Sequence, residues 1–245
     1  MKVNWQLKLG TILVVLSAVV YLLHFLVFRD VHHIMIYLVG DIAFVFLEVL
    51  MVTVVIHELL NRREKRQRLE KMNMVIGAFF SEVGTELLRK LSDWDLDLGD
   101  VRTRLKVTTL WTEEQFDTVE RSMKDYTFHI SPDQFDPLQL RDFLGNKLEF
   151  LLRLMENPNL LEHETFTDLL LAVFHLSEEL VARKDLAEMQ ATDRVHLAGD
   201  VNRVYGQLTE RWLDYMKYLR SNYPYLFSLA VRTNPFDETA SPIVT

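Results

Sequence analysis

Two long apolar segments dominate the first sixty residues of the chain. The first extends from Leu9 to Phe28 and contains no Asp, Glu, Lys or Arg. As an α-helix, these residues would be about 30 Å long, which matches the hydrocarbon thickness of a bilayer. The second extends from Ile34 to Leu60, which is long enough to span a bilayer with some tilt. The pattern predicts a transmembrane hairpin within residues 1–60, with spans at about 9–28 and 34–60.

Two alternatives to a membrane hairpin fit these segments less well. A cleaved signal peptide has a shorter apolar core and a small-residue cleavage motif, which the first segment lacks. A buried hairpin of a soluble protein would have to cover two such segments in tandem, which exceeds what a small core can bury. We therefore expect an integral membrane protein whose first partner is the lipid bilayer.

Basic residues predict the orientation of this hairpin. Six Lys and Arg residues follow the second span, whereas the turn between the spans contains only Arg29. Short loops rich in Lys and Arg remain on the cytoplasmic side of the membrane. Both termini are therefore expected in the cytoplasm, with the short turn outside.

Four polar residues lie within the predicted spans. Asp41 and Glu48 are seven residues apart, which places them on one face of the second helix, about 10 Å apart along its axis. His24 lies at a depth similar to that of Asp41, and Ser17 at a depth similar to that of Glu48. Carboxylates within a bilayer must face protein or water, or become protonated. These residues are the candidates for helix pairing or for an intramembrane functional site.

Three interpretations of the intramembrane acids remain open. They can hold helices together within or between subunits, or form a ring that lines a cation or proton pathway in a homo-oligomer. Binding of a lipid or small molecule is the third. Near the turn, His32 and His33 would point about 100° apart on a helix, which suits a shared metal ion poorly. No metal site is predicted there.

A basic segment follows the second span without a helix breaker. Residues 61–71 contain six basic residues and two glutamates, a net charge of +4. The second helix should therefore continue as a juxtamembrane helix over residues 61–91. Basic residues at this position bind anionic headgroups with about 1 kcal/mol each. The predicted lipid-binding residues are Arg62, Arg63, Lys65, Arg66, Arg68 and Lys71.

Small residues line one face of the continuing helix. Gly77 and Gly84 are seven residues apart with Ser81 between them, and apolar positions recur over residues 72–91. Small residues at this spacing permit close helix contact. The face is expected to pack within the chain, with subunit association as the alternative.

The remainder of the chain is acidic and lacks familiar catalytic motifs. Residues 72–245 contain 18 basic and 29 acidic residues, a net charge of −11, which disfavours nucleic-acid binding. Cysteine is absent, which excludes disulfides and cysteine-bound metals. No phosphate-binding glycine loop, nucleophile elbow or zinc-protease motif occurs. His175 with Glu178 reverses the order of di-iron bundles, and His175 is expected to be solvated. We predict no catalytic residue, cofactor or metal.

Capping chemistry predicts an all-α fold for this acidic domain, residues 92–238. The segment 92–99 is predicted to be an acidic linker that ends the juxtamembrane helix. The final long helix is predicted to reach Ser221, with a break near residues 184–187. Residues 104–110 could form a short extended piece. We expect a cytosolic bundle of about four or five helices and a disordered tail, residues 239–245. The helix starts are Thr112 with Gln115, Asp136 with Pro137, and Asn159 with Glu162.

The segment 223–237 is apolar at its start and contains the tripeptide Asn234-Pro235-Phe236. It can pack on the bundle as a final amphipathic turn, or dock a protein partner or a neighbouring subunit. The cytosolic domain itself is the other candidate surface for a protein partner.

The chain resembles a group of membrane proteins in several places. The sequence Tyr37-Leu-Val-Gly-Asp-Ile-Ala-Phe, together with Glu48, His57 and the basic segment 61–71, resembles uncharacterised two-span membrane proteins of bacteria and archaea. The likeness extends to residues 222–237 and so covers most of the chain. The resemblance implies a prokaryotic inner-membrane location and brings no assigned activity.

Two functions follow as expectations. The first is a non-enzymatic, homo-oligomeric integral membrane protein with a cytosolic helical domain that senses or scaffolds. The alternative is a small cation or proton channel, with the acids of the second span lining the pathway. An enzyme ranks third, because no catalytic constellation is recognisable.

Overall fold

A computed structural model describes residues 5–158, 160 and 163–244, apart from the side chains of Gln6 and Arg68. These described residues form α-helices, a π-helical turn and connecting loops, and contain no β-strand. The prediction of an all-α fold is therefore confirmed. By its internal contacts the chain divides into two units, Met1–Lys65 and Arg66–Thr245.

The first unit is built from two apolar helices joined by a two-residue turn. Helix α1 comprises Trp5–Phe28, and helix α2 comprises Val31–Phe79, of which residues 31–65 belong to this unit. Arg29 has a positive φ of 50°, which reverses the chain direction. The Asp30 carboxylate then accepts a hydrogen bond of 3.1 Å from the backbone N–H of His33 in the first turn of α2. A capped start of this kind satisfies an otherwise free N–H group.

The second unit is organised around one long helix, α8. This helix packs against α3, α5, α7 and α9, while α6 packs against α7. Apolar positions three or four residues apart on α8, such as Val201, Val204 and Leu208, are buried. Beyond the end of α2, the elements are a π-helical turn (Phe80–Gly84), α3 (Thr85–Trp94), α4 (Gly99–Arg104), α5 (Glu113–Lys124), α6 (Pro137–Met155), α7 (Glu164–Ala182), α8 (Ala191–Asn222) and α9 (Pro224–Arg232).

Two of the predicted helix starts are confirmed in atomic detail. Thr112 and Gln115 form a reciprocal capping box, in which each side chain accepts a hydrogen bond from the backbone N–H of the other. The Asp136 side chain accepts hydrogen bonds from the N–H groups of Leu138 and Gln139, and Pro137 occupies the first helical position. These interactions are local, so the sequence contains what is needed to predict them.

The start of α7 differs from the predicted one. His163 is its N-cap, and the side chain accepts a hydrogen bond from the N–H of Phe166. The expected capping pair, Asn159 with Glu162, lies outside the described residues. The predicted break near residues 184–187 is confirmed, because residues 183–190 separate α7 from α8.

The helix expected to end at Leu91 continues to Trp94. The Ser92 hydroxyl is buried and lies 2.9 Å from the carbonyl oxygen of Arg89 and 3.1 Å from that of Pro235. A serine whose hydroxyl is satisfied in this way does not end the helix. The acidic linker is correspondingly shorter than predicted.

The expectation of an extended piece at residues 104–110 is wrong. Arg104 ends α4, and turns and irregular backbone follow. The carbonyl oxygen of Leu105 accepts a hydrogen bond of 3.0 Å from the Asn234 side chain. A side chain from the C-terminal segment therefore takes the place that a neighbouring strand would occupy.

Gly84 of the small-residue face is buried within the second unit, as the sequence favoured, whereas Ser81 is exposed. Val83, Leu87 and Leu88 are fully buried. The ring of Phe80 stacks on Tyr215 of α8 with centroids 5.0 Å apart. A Cβ atom on Gly84 would lie 2.6 Å from the Phe80 ring, so this position requires glycine for close packing.

The C-terminal tripeptide Asn234-Pro235-Phe236 is also buried in the second unit. The Phe236 ring packs against Trp212 of α8 with centroids 5.3 Å apart. The Asn234 side chain accepts a hydrogen bond from the N–H of Phe236 and so fixes the turn. Of the two alternatives for the segment 223–237, this tripeptide therefore follows the first, which is packing on the bundle of its own chain.

Candidate functional site

The two intramembrane candidates Asp41 and Glu48 both lie on α2. Their side chains are exposed in the single chain, and so is that of Ser17 on α1. A seven-residue separation on a continuous helix places both carboxylates on the same face. Among the described residues, neither acid has a hydrogen bond or an ion pair with Ser17 or with another side chain. Both acids are therefore free to meet a group from outside this chain.

The fourth candidate, His24, faces the turn rather than Asp41. Its ring lies 4.8 Å from that of Phe28 and 5.9 Å from that of His33, measured between centroids. Its Nε2 atom is buried and has no hydrogen-bond partner among the described residues. A pair between His24 and Asp41, for which their similar depth made them candidates, is not formed through this nitrogen among the described residues.

The basic segment lies along the exposed surface of α2. Arg62 pairs with Glu58 at 2.6 Å, and Arg66 pairs with Glu70 at 3.0 Å. Exposed pairs one helical turn apart add about 0.3–0.5 kcal/mol each, so they compete only weakly with other anions. The predicted residues Arg63, Lys65 and Lys71 are exposed as well, and the Arg68 side chain lies outside the described part of the chain.

Within the segment 223–237, the helix α9 carries exposed apolar side chains. Tyr225, Leu226 and Leu229 are exposed, whereas Phe227 is buried against the unit. Exposed apolar side chains that follow one another on a short helix form a contact patch. A protein partner for the segment 223–237 would therefore meet these residues and not the buried tripeptide.

A polar cluster between α7 and α8 is not among the predicted sites. His175 and Glu179 lie one turn apart on α7, and His196 and Asp200 lie one turn apart on α8. From the sequence, His175 was paired with Glu178, but Glu178 is exposed and His175 contacts Glu179 instead. The signal available was the repeat of histidine followed four residues later by an acid, once on each of two consecutive helices.

These features define an all-α protein with an apolar N-terminal helical pair and a larger helical C-terminal unit. Residues 1–60 match the family model of the N-terminal helical domain of MJ1433, and residues 68–232 match that of the C-terminal helical domain of uncharacterised protein MJ1433. The chain belongs to this family. Uncharacterised protein MJ1433 of Methanocaldococcus jannaschii is 45% identical over 234 residues, which cover 96% of this chain and 94% of the relative. No solved structure matches.

The comparison confirms the resemblance to an uncharacterised family. Both family models are described as helical domains, and neither description mentions a membrane. The two models meet between residues 60 and 68, close to the division between the two units after Lys65. The family models therefore divide the chain near the same place as its internal contacts do.

Proposed function

We propose that this protein is a homo-oligomeric integral membrane protein of the cell (inner) membrane, with a cytosolic helical domain that senses or scaffolds and has no catalytic activity. The observation that carries the proposal is the surface of the first unit. The most apolar stretch within Leu7–Phe28 has a mean hydropathy of 2.5, and that of the helix that begins at Val31 reaches 2.4. None of either stretch is buried inside the chain.

Lipid is the partner that covers such a surface at least cost. Apolar side chains around both helices are exposed, including Val14, Val27 and Phe46. Soluble monomers rarely expose contiguous apolar patches of this extent. Both helices are also long enough to cross a hydrocarbon core of about 30 Å. The second unit, in contrast, buries its own apolar residues in one cluster.

The charge pattern supports an orientation with the larger unit in the cytoplasm. The basic segment follows the second candidate span, whereas the turn contains Arg29 beside Asp30. Basic residues near the end of a span favour the cytoplasmic side. They also contact anionic headgroups at that surface.

The exposed acids support a homo-oligomer. In a bilayer, an ionised side chain at the centre of a lone helix costs about 2.5–3.5 kcal/mol on insertion scales. Asp41 and Glu48 have no partner among the described residues of their own chain, so a second copy is a natural source of one. Polar contacts between membrane helices contribute about 0.6–2 kcal/mol each and fix the register of the helices.

The same acids favour the alternative function, a small cation or proton channel. Two carboxylates on one face of a span would form two stacked rings in a symmetric oligomer. Such rings attract cations. A measurement of ion flux distinguishes rings that line a pathway from rings that only hold subunits together. A measurement of the oligomeric state does not distinguish them.

Native mass spectrometry of the full chain, released from detergent, tests the proposal. We expect a defined multimer for the wild type and weaker assembly for Glu48→Gln and Asp41→Asn. Glu58→Gln is the matched control, because Glu58 is an exposed acid of the same helix next to the basic segment. A strictly monomeric wild type would contradict both the oligomeric scaffold and the ring of acids.

Flux measurements in liposomes separate the two functions. The scaffold predicts no cation or proton flux above that of protein-free vesicles. The channel predicts a flux that Glu48→Gln abolishes and Glu58→Gln leaves unchanged.

A further inference from the structure

Four potential metal ligands face one another where α7 packs on α8. The Nε2 atom of His175 lies 3.8 Å from Glu179 Oε1 and 3.8 Å from Asp200 Oδ2. The Nε2 atom of His196 lies 3.7 Å from Glu179 Oε2 and 3.5 Å from Asp200 Oδ2. Each imidazole therefore stands between two carboxylates, and each carboxylate between two imidazoles. We call these four residues the histidine–carboxylate cluster.

Asp200 is the buried member of the histidine–carboxylate cluster. Its side chain is only 3% exposed, and its Oδ1 atom lies 3.1 Å from the guanidinium of Arg203. The Oδ2 atom is inaccessible to solvent and has no hydrogen-bond partner among the described residues. A buried carboxylate oxygen without a partner is costly. The oxygen points between the two histidine nitrogens, where a cation would satisfy it.

We propose that the histidine–carboxylate cluster binds one divalent transition-metal ion, with Zn²⁺ the best fit. Zinc takes four nitrogen and oxygen ligands at about 2.0–2.2 Å in a tetrahedron, in which ligand atoms are about 3.3–3.5 Å apart. Each histidine nitrogen lies 3.5–3.8 Å from one Glu179 oxygen and from Asp200 Oδ2, with Glu179 presenting Oε1 to His175 and Oε2 to His196. Imidazole with carboxylate suits zinc better than it suits calcium or magnesium, which prefer oxygen ligands alone.

Binding requires a small closure of the ligands. No three of the described His, Asp and Glu side chains already surround a point at bonding distance. The side chains of His175 and His196 are 46% and 56% exposed, so their rings can rotate toward the carboxylates. The same exposure lets an ion enter from solvent without separating α7 from α8. A bound ion would tie the two helices together at this point.

Each carboxylate of the histidine–carboxylate cluster also contacts an arginine side chain. Arg183 donates hydrogen bonds to Glu179 Oε2 at 2.6 Å and to both oxygens of Asp193 at 2.6 and 2.8 Å. Arg203 contacts Asp200 on its Oδ1 side. Glu179 Oε1 is left facing His175, and Asp200 Oδ2 faces both histidines. Outer partners of this kind orient metal ligands.

The local charge also favours a cation. Glu179, Asp193 and Asp200 supply three negative charges, and Arg183 and Arg203 supply two positive ones. One negative charge remains before the histidines are considered. Neutral imidazoles, which metal binding requires, leave that charge for the ion to balance. The inference concerns the second unit alone and does not depend on the proposed membrane function.

The test is zinc binding by the full chain in detergent, purified with an affinity tag that contains no histidine. The protein is stripped with EDTA and then titrated with Zn²⁺, with Co²⁺ as a spectroscopic substitute. We expect one Zn²⁺ per chain and the visible absorption of four-coordinate Co²⁺. His175→Ala and His196→Ala should each weaken Zn²⁺ binding by at least about tenfold. His129→Ala is the matched control, since His129 is exposed in the same unit outside the cluster.

The half-exposed histidines are substituted instead of the buried Asp200, so that a loss of Zn²⁺ binding is not caused by a loss of folding. In EDTA, the unfolding temperatures of His175→Ala and His196→Ala should stay close to that of the wild type. In Zn²⁺, only the wild type and His129→Ala should gain thermal stability. The proposal is overturned if the wild type binds no Zn²⁺, or if the cluster variants bind it as tightly as His129→Ala does. A third result would also overturn the proposal: a protein without bound metal that gains thermal stability only on acidification. The cluster would then consist of imidazolium–carboxylate ion pairs.

Discussion

Replacement of Gly84 by alanine should destabilise the second unit, although alanine is the better helix former. Gly84 ends the π-helical turn, and an added Cβ would lie 2.6 Å from Phe80 Cδ1 and 2.8 Å from Phe79 Cε1. Both rings are buried and cannot move freely. Phe80 stacks on Tyr215 at 5.0 Å, and Phe79 packs edge-on against Phe166 at 5.4 Å. The new methyl group must therefore displace packed aromatic rings.

The magnitude follows from two opposing effects. Overpacking of a core costs about 1–3 kcal/mol, whereas replacing glycine by alanine inside a helix gains about 1 kcal/mol. We expect a net loss of about 1 kcal/mol in the free energy of unfolding. Gly145→Ala is the matched control, because Gly145 lies in the middle of α6, and a Cβ there would meet no described atom within 4 Å. This control should gain about 0.5–1 kcal/mol.

Urea unfolding of the full chain in detergent, followed by tryptophan fluorescence, measures both variants. Trp212 is buried in the second unit and reports on its core. The two substitutions should shift the midpoint in opposite directions. If Gly84→Ala stabilises the protein as much as Gly145→Ala does, the rings are free to move aside and the packing argument is refuted.

Three further substitutions test local interactions by the same unfolding measurement. Asp136→Ala removes the cap of α6 and should cost about 1 kcal/mol. Lys106 lies 3.0 Å from Asp237 and lowers the pKa of that carboxyl, so its stabilising effect is present above the ordinary pKa and is lost as the pH falls. Lys106→Met should therefore destabilise by about 0.5 kcal/mol at pH 7 and have no effect in acid. Burial raises the pKa of Asp95, so Asp95→Asn should stabilise at pH 7, with a gain that shrinks as the pH is lowered through that raised pKa.

The elements that the sequence predicts correctly depend on neighbours in the chain. The capping box of Thr112 with Gln115 and the cap at Asp136 involve contacts within three residues. The continuity of the helix after the second apolar segment follows from the absence of proline and the abundance of good helix formers. These caps and this continuous helix are present in the folded chain because the tertiary contacts agree with the local preferences.

The elements that the sequence does not predict depend on contacts across long stretches of chain. Ser92 remains helical because its hydroxyl meets the carbonyl of Pro235, 143 residues away. In the irregular segment 104–110, the carbonyl of Leu105 accepts its hydrogen bond from Asn234, 129 residues away. A hydrophobic pattern shows which face of a helix is buried but not which helix covers it.

The histidine–carboxylate cluster illustrates the same limit at a candidate site. Spacing places His175 with Glu179 and His196 with Asp200 on their own helices. Only the packing of α7 on α8 brings His175 to Asp200 and His196 to Glu179. Asp41 and Glu48 are the converse case, since the sequence alone fixes their spacing on one helix, and neither has a side-chain partner among the described residues.

The most direct test of the central proposal is the topology of the first unit in the membrane. The chain contains no cysteine, so single cysteines can be introduced without a background signal. His32→Cys lies next to the turn between α1 and α2, and Thr127→Cys lies in the loop between α5 and α6, both at exposed positions. In intact cells, a membrane-impermeant maleimide should label His32→Cys, and it should label Thr127→Cys only after the membrane is permeabilised. Equal labelling of the two positions before permeabilisation would contradict a membrane-spanning hairpin.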